Sequence, residues 1–177
     1  KDVSAVIGLH MDASLPAGQV VILDGPVMAA VDGFEIKIKG KGGHGAYPET
    51  TVDAIVVGSQ VVQAIQQIVS RRVSALEPAV VTIGSFKSNS TRGNVIAEEV
   101  IMHGTFRTFN EAVRATIREE LDKACSIAKS LGGDYEINYE LGYPTTVNNA
   151  EVAQIMRQAA IDLIGEENVI AGKPKTW

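Results

Sequence analysis

The sequence has little of what several classes of protein require. Its 177 residues include one cysteine, Cys125, so neither an internal disulfide nor a CxxC zinc site can form. No apolar run approaches the roughly 20 residues that cross a bilayer as a helix, so we expect no membrane association. Sixteen Lys and Arg stand against 21 Asp and Glu, and this acidic balance argues against nucleic acid as a partner. The lone cysteine fits a reducing compartment, and we expect a cytoplasmic protein.

Hydrophobic residues make up 45% of the chain and charged residues 21%, which predicts a folded protein with a real core. Hydrophobic periodicity locates its central elements. Strands are predicted at 34–39, 80–86, 95–107 and 135–139, and helices at 51–72 and 111–131. Thr50 and Asn110 are the expected N-caps, and Asp32-Gly33 is expected to form a tight turn before the first strand.

From residue 28 to 141 the predicted order is β-α-β-β-α-β. This is the ferredoxin-like α+β arrangement, an antiparallel four-stranded sheet with two helices on one face. Two flanking elements do not fit into that unit: a buried strand at 3–9 and a helix at 150–164 capped by Asn149. We therefore predict that residues 27–145 form one domain inserted into another, to which residues 1–26 and 146–177 belong.

A glycine loop, residues 40–48, follows the first strand of the inserted domain. Gly40, Gly42 and Gly45 match G-x-G-x-x-G, which on its own suggests a dinucleotide site. The strand before it is amphipathic and Pro48 separates it from the next helix, so no helix N-terminus is available for a pyrophosphate. The alternatives are a flexible turn or a loop that presents His44 to a ligand.

For several other polar residues the sequence allows both a structural and a functional interpretation. His10 ends the 3–9 strand, where it could bind zinc or be a satisfied core histidine. His103, in mid-strand, favours a structural role. Asn94 could serve only its turn, and Arg107 could form a surface ion pair or clamp a carboxylate. Spacing does not decide between these alternatives.

Six segments occur in an order typical of one family. The protein resembles bacterial N-acyl-amino-acid amidohydrolases, hippurate hydrolases, thermostable carboxypeptidases and plant auxin-conjugate hydrolases. The resemblance covers essentially the whole chain and is most specific around His44. The segments are Gly8-Leu9-His10, Pro16-Ala17-Gly18, Gly25-Pro26-Val27-Met28-Ala29, Gly40-Lys41-Gly42-Gly43-His44-Gly45-Ala46-Tyr47-Pro48, Asn94-Val95-Ile96-Ala97 and Gly104-Thr105-Phe106-Arg107.

The resemblance implies a ferredoxin-like lid, or dimerisation, domain inserted in a zinc-exopeptidase-like α/β catalytic domain that is truncated here. It implies hydrolysis of the amide bond of N-acyl amino acids or small peptides with two divalent metal ions, zinc or alternatively manganese, cobalt or nickel. By resemblance His10 is a metal ligand. His44 reaches the partner subunit's site and steadies the oxyanion, while Asn94 and Arg107 hold the substrate.

The same resemblance places the other metal ligands and the catalytic glutamate outside these 177 residues, and Thr176-Trp177 departs from the family's usual ending. We therefore expect the chain alone to bind no metal and to be inactive, and to form a homodimer through edge strands of the lid. The alternative is a non-catalytic ferredoxin-like module for dimerisation or small-molecule binding, since that fold hosts many functions.

Overall fold

A computed structural model describes residues 2–170 and residue 172, so the Thr176-Trp177 departure lies outside the described residues. The chain divides into two compact units. The central unit is Ala29–Thr145, and the flanking unit combines Lys1–Met28 with Thr146–Trp177.

The elements follow in chain order. The strands are β1 (Val20–Val21), β2 (Gly25–Met28), β3 (Ala30–Lys39), β4 (Gly43–His44), β5 (Ala79–Ser88), β6 (Val95–Ile96), β7 (Glu99–Thr108), β8 (Asp134–Leu141), β9 (Thr146–Asn148) and β10 (Val169–Ile170). The α-helices are α1 (Ala54–Gln67), α2 (Glu111–Cys125), α3 (Ile127–Ser130) and α4 (Ala150–Ile164). Short 3-10 turns occupy Pro48–Thr50 and Glu166–Asn168, and a π-helical turn, Ile68–Arg72, extends α1.

The central unit confirms the predicted ferredoxin-like arrangement. Its four long strands form one antiparallel sheet in the order β5-β7-β3-β8. Alternate residues of β3 are buried, as expected for a strand with one face under helices. The buried face packs against α1 and α2, and its core includes Phe34, Ile36, Met102 and Phe106. The opposite face carries no helix of the central unit, and we call it the open face.

Cys125 lies at the end of α2 inside this core and is fully buried. Burial raises the pKa of its thiol to about 12, and the nearby Asp122 carboxylate adds to that shift. The thiol is therefore held in its neutral, unreactive form at ordinary pH.

The predicted turn at Asp32-Gly33 and the N-cap at Thr50 are both wrong. β3 already begins at Ala30, so the turn residues lie inside the strand. Asp53, rather than Thr50, caps α1, because its carboxylate accepts hydrogen bonds from the backbone N–H groups of the first helical turn. The turn was mispredicted because a charged residue was not expected inside a buried strand, and the cap because Thr50 belongs to the 3-10 turn that precedes α1.

Two other predicted elements are subdivided. The 95–107 strand consists of β6 and β7, because residues 95–96 pair with β4 rather than with the main sheet. The 111–131 helix consists of α2 and α3. Its predicted cap is confirmed, since the Asn110 side chain accepts from Ala112 N at 2.8 Å.

The flanking unit holds a parallel pair, β1 with β10, an antiparallel pair, β2 with β9, and the predicted helix α4. Asn149 caps α4 as expected. The buried strand predicted at 3–9 is wrong: these residues have no regular structure, with Val6 87% and Leu9 92% exposed. They pair with no other strand in the part of the chain that the structure describes. An apolar run forms a buried strand only where neighbouring strands supply hydrogen bonds.

The periodic apolar residues of α4 form a stripe along the helix, and this stripe is largely unburied. Ile155 is 68% exposed and Leu163 is 84% exposed, and Ala153 is the buried residue of the helix. Amphipathic periodicity predicted the helix correctly, but burial also needs a surface to cover the stripe. Among the described residues, no helix is both long and apolar enough to cross a bilayer.

A buried ion pair joins three elements of the central unit. Arg114 of α2 donates from Nε and Nη2 to the two carboxylate oxygens of Asp32 in β3, each at 2.6 Å. Gly142 N, just after β8, donates to Asp32 Oδ1 at 3.0 Å. Burial alone would raise the pKa of Asp32, but the hydrogen bonds from Arg114 and Gly142 outweigh it and lower the pKa below 3.8.

We expect Asp32→Ala to lower the free energy of unfolding by about 3–5 kcal/mol at pH 7, because the buried guanidinium of Arg114 would lose its two-point partner and keep only the exposed Glu111 as a counter-charge. Folding lowers the pKa of Asp32 below 3.8, so the ion pair stabilises the folded protein fully at pH values above 3.8. Its contribution is lost as the pH falls through the folded-state value. Denaturant unfolding should therefore show a wild-type-to-variant difference that shrinks between pH 7 and pH 2. Glu136→Gln, which removes an exposed partner of Lys39, is the control and should change little.

Candidate functional site

The glycine loop folds back as a small hairpin onto the chain that leads into β7. Gly43 and His44 of β4 pair with Ile96 and Val95 of β6. The pairing continues where Gly45 N donates to Asn94 O at 2.8 Å.

Close backbone contact explains the glycines. A Cβ on Gly40 would lie 2.2 Å from the carbonyl oxygen of Val52, one on Gly42 3.0 Å from that of Ile96, and one on Gly45 3.1 Å from that of Asn94. The three glycines of the G-x-G-x-x-G pattern thus face carbonyl oxygens. The N–H groups of Gly40 and Gly45 donate to the carbonyl oxygens of Glu98 and Asn94. They are therefore not available to a phosphate, which opposes a nucleotide site.

His44 lies at the exposed end of this hairpin. Its Nδ1 accepts a hydrogen bond from Ala46 N at 3.0 Å. The ring of Tyr47 contacts the imidazole edge-on, with 5.6 Å between ring centroids. Within the described residues, Nε2 of His44 has no hydrogen-bond partner, so it is available to a ligand.

The structure brings Asn94 next to His44. The backbone of Asn94 directly continues the β4-β6 pairing, and its side chain is exposed with no hydrogen bond to the described residues. Both residues therefore lie at the end of the sheet where β7 begins with Glu99. An amide and an imidazole at one exposed hairpin can contact the same ligand.

Arg107 lies at the opposite end of β7. Its Cα partners are Val31 of β3 and Val80 of β5, and it is half-buried on the open face. Its guanidinium forms no hydrogen bond or ion pair with residues that the structure describes. Eight residues of extended strand separate Glu99 from Arg107, which amounts to about 27 Å. A single central unit therefore does not bring Arg107 to His44.

His103 lies on the open face between these two ends. Its Nε2 is 3.9 Å from Glu35 Oε2, and the ring is mostly exposed. This is a long, solvent-screened contact, in keeping with the structural role expected for it.

His10 belongs to the flanking unit and is exposed. Its Nδ1 lies 2.6 Å from the carbonyl oxygen of Met11, which can only accept, so Nδ1 carries the proton and Nε2 keeps its lone pair. A histidine that donates one ring N–H to a carbonyl is suited to bind a metal through the other nitrogen. However, over residues 2–170 no three His, Cys, Asp or Glu side chains come together as a metal site. His10 alone does not make a two-metal centre.

Tyr47 is the residue that sequence reasoning missed. It is 60% exposed and contacts the candidate catalytic imidazole. The sequence contained a signal, since an aromatic residue three positions after His44 and just before Pro48 can close a turn around the histidine.

The sequence of the central unit matches a known family. Residues 30–130 match the model of the peptidase dimerisation domain. The chain belongs to this family. The resemblance identified from the ordered motifs is thereby confirmed.

Relatives extend the match beyond the peptidase dimerisation domain. The chain is 43% identical over 150 residues to an N-acyl-L-amino acid amidohydrolase of Geobacillus stearothermophilus, covering 84% of the chain and 40% of that protein. It is 39% identical over 176 residues to Bacillus subtilis YhaA, described as an amidohydrolase, covering 99% of the chain and 44% of YhaA. The chain thus spans about two fifths of the length of these relatives.

A solved structure supports the same family. The Bacillus subtilis YXEP protein, a dinuclear metal-binding peptidase of the M20 family, superposes with a TM-score of 0.67 and 30% identity. The match covers 87% of this chain and 37% of YXEP.

We expect Gly40→Ala to destabilise the peptidase dimerisation domain by about 1–3 kcal/mol, because a methyl group 2.2 Å from the Val52 carbonyl oxygen forces the hairpin to move. Gly93→Ala is the matched control, since a Cβ there has nothing within 4 Å. Thermal unfolding of the two variants should separate them. Equal stabilities would show that the hairpin tolerates the added methyl group and that the proposed close packing is wrong.

Proposed function

We propose that this chain supplies the lid of a dimeric, metal-dependent amidohydrolase that cleaves the amide bond of N-acyl amino acids or small peptides. In this proposal residues 27–145 are the lid, and residues 1–26 and 146–177 belong to the catalytic domain. Membership of the peptidase dimerisation domain family supports it, as does the similarity to an N-acyl-L-amino acid amidohydrolase over 84% of the chain.

The separation of Arg107 from His44 is the observation that carries the proposal. In an N-acyl amino acid, only a few bonds separate the scissile carbonyl from the carboxylate, so one substrate cannot span about 27 Å of strand. If both residues act on it, they must come from different protomers. Each active site then takes His44 and Asn94 from one protomer and Arg107 from the other.

The local environments support distinct roles for these residues. Arg107 is half-buried between Val31 and Val80 and has no carboxylate partner among the described residues. Water competes less there, so a bidentate pair with the substrate carboxylate would be strong. His44, with its free Nε2, would donate to the oxyanion that develops on the carbonyl oxygen, and Asn94 would help hold the substrate.

The metal centre requires ligands that the described residues do not bring together. His10 is the one candidate ligand among them, through Nε2. Two divalent metals would supply a water of lowered pKa and a polarised carbonyl. We therefore expect the 177-residue chain by itself to be inactive, and the function must be tested on the protein encoded by the complete reading frame.

The edges of the sheet indicate how the homodimer would form. β8, at one edge, carries Asp134, Glu136 and Glu140, and a second copy paired with it would bring like charges together. β5, at the other edge, has Lys87 as its single charged residue. A shallow groove of mixed polarity runs beside it, lined by residues of α1 and β5 that include Val62, Gln66, Val81, Thr82, Ser85 and Phe86. We infer that two copies pair through β5 across a two-fold axis.

We expect Thr82→Lys to weaken the dimer about tenfold or more, because two-fold pairing through β5 brings the added lysines together. Asn138→Lys is the matched control, since both positions are exposed on the open face of an edge strand. Sedimentation equilibrium measures the dissociation constants. If Asn138→Lys weakened the dimer instead, the interface would lie at β8. If neither variant weakened the dimer, edge pairing would be wrong.

A mixing experiment tests the shared active site. His44→Ala should lower kcat about 10²- to 10³-fold by removing an oxyanion donor, and Arg107→Ala should mainly raise KM. Co-expression of the two variants should restore about a quarter of wild-type activity. Half of the random dimers are mixed, and each mixed dimer keeps one intact site of two.

Single-variant dimers contain no intact site and serve as the baseline. If His44 and Arg107 served the same site from one protomer, every site in a mixed dimer would carry one substitution. Activity would then stay at the baseline, and the shared-site proposal would be wrong.

A further inference from the structure

We propose that the turn His44–Tyr47 presets the protonation of His44. In this inference the backbone N–H of Ala46 and the ring of Tyr47 are positioning groups that keep the neutral imidazole protonated on Nε2. The catalytic meaning of this arrangement rests on the proposed function, whereas the protonation pattern itself follows from the turn.

The hydrogen bond to Nδ1 has one possible direction. Ala46 N is a backbone amide and can only donate, so Nδ1 of His44 must accept at 3.0 Å. An accepting nitrogen carries no proton, and a neutral imidazole then has its proton on Nε2. The backbone thus selects one of the two neutral tautomers.

The turn itself is held at several points. Tyr47 N donates to His44 O at 2.9 Å and closes the turn around the imidazole. Tyr47 O accepts from the Thr50 hydroxyl at 2.9 Å and from Thr50 N at 3.2 Å. The backbone on either side of Ala46 is therefore fixed, and its N–H points toward Nδ1 without a large entropic cost at the moment of binding.

Tyr47 restricts the imidazole from the side. The two rings meet edge-on, and this contact limits the tilt of the imidazole, so that Nδ1 stays within reach of Ala46 N–H. Tyr47 is 60% exposed and so contributes little to the core. Its position is better explained by contact with His44 than by a role in folding.

The consequence for the proposed reaction is a donor that needs no rearrangement. A neutral Nε2–H can donate to an oxyanion as it forms, whereas the other tautomer would direct a lone pair at it. Preorganised donors of this kind are those that favour a transition state over the bound substrate. Tyr47 would therefore affect kcat more than KM.

His10 provides a reference in the same chain. There the partner of Nδ1 is a carbonyl oxygen, Met11 O at 2.6 Å, which requires the proton on Nδ1. The two histidines are therefore expected to adopt opposite tautomers. A global effect of solvent or pH cannot produce that difference, because it would act on both.

The test is a nitrogen-15 NMR measurement on the imidazoles of the 177-residue chain, at a pH where both histidines are neutral. We expect His44 to show Nε2–H, with a ratio of tautomers about fivefold higher than in a Gly-His-Gly peptide. We expect His10 to show Nδ1–H. A peptide-like ratio at His44, or a proton on its Nδ1, would overturn the inference.

Variants of Tyr47 separate positioning from folding. Tyr47→Ala should return the His44 ratio toward the peptide value, and Tyr47→Phe, which keeps the ring, should restore it. In the complete enzyme Tyr47→Ala should lower kcat several-fold at nearly unchanged KM. An unaltered tautomer ratio in Tyr47→Ala would remove Tyr47 from the inference.

Different results would disprove the inference and the proposed function. If His44 is protonated on Nε2 but His44→Ala keeps full kcat, the preset turn stands and the catalytic role is wrong. If His44→Ala loses kcat while Nδ1 carries the proton, the role stands and the preset turn is wrong.

Discussion

The unbroken ladder between β3 and β7 is the constraint on which the rest of the central unit depends. Ten consecutive residue pairs, from Ala30 with Thr108 to Lys39 with Glu99, hold the two middle strands in one register. This register fixes which side chains face the helices and which face the open side. It also sets the glycine hairpin and Arg107 at opposite ends of a rigid strand, so the geometry of the candidate site follows from strand pairing.

Much of this fold could be predicted from hydrophobic periodicity. The order β-α-β-β-α-β and the caps Asn110 and Asn149 are local features, and the sequence contains the whole signal for them. Two of the failures occur where a residue depends on a distant partner. Asp32 can lie inside a strand because Arg114, 82 positions later, neutralises it. The 3–9 run lacks a neighbouring strand among the described residues and is therefore exposed.

The candidate site was predictable residue by residue but not as an arrangement. Spacing left His44, Asn94 and Arg107 with two interpretations each, and the resemblance to amidohydrolases suggested their roles. Neither source indicated that His44 and Asn94 share a hairpin while Arg107 lies far from both. The reason is physical: pairing of β4 with β6 joins segments about fifty residues apart, and local pattern does not encode such contacts.

The buried thiol of Cys125 has a practical consequence. Its neutral state inside the core leaves it a poor nucleophile toward alkylating reagents at neutral pH. No other cysteine is present in the chain, so a thiol introduced on the surface would be the one that reacts. Spin labels or fluorophores could then be attached at chosen positions of these 177 residues without removing the native cysteine.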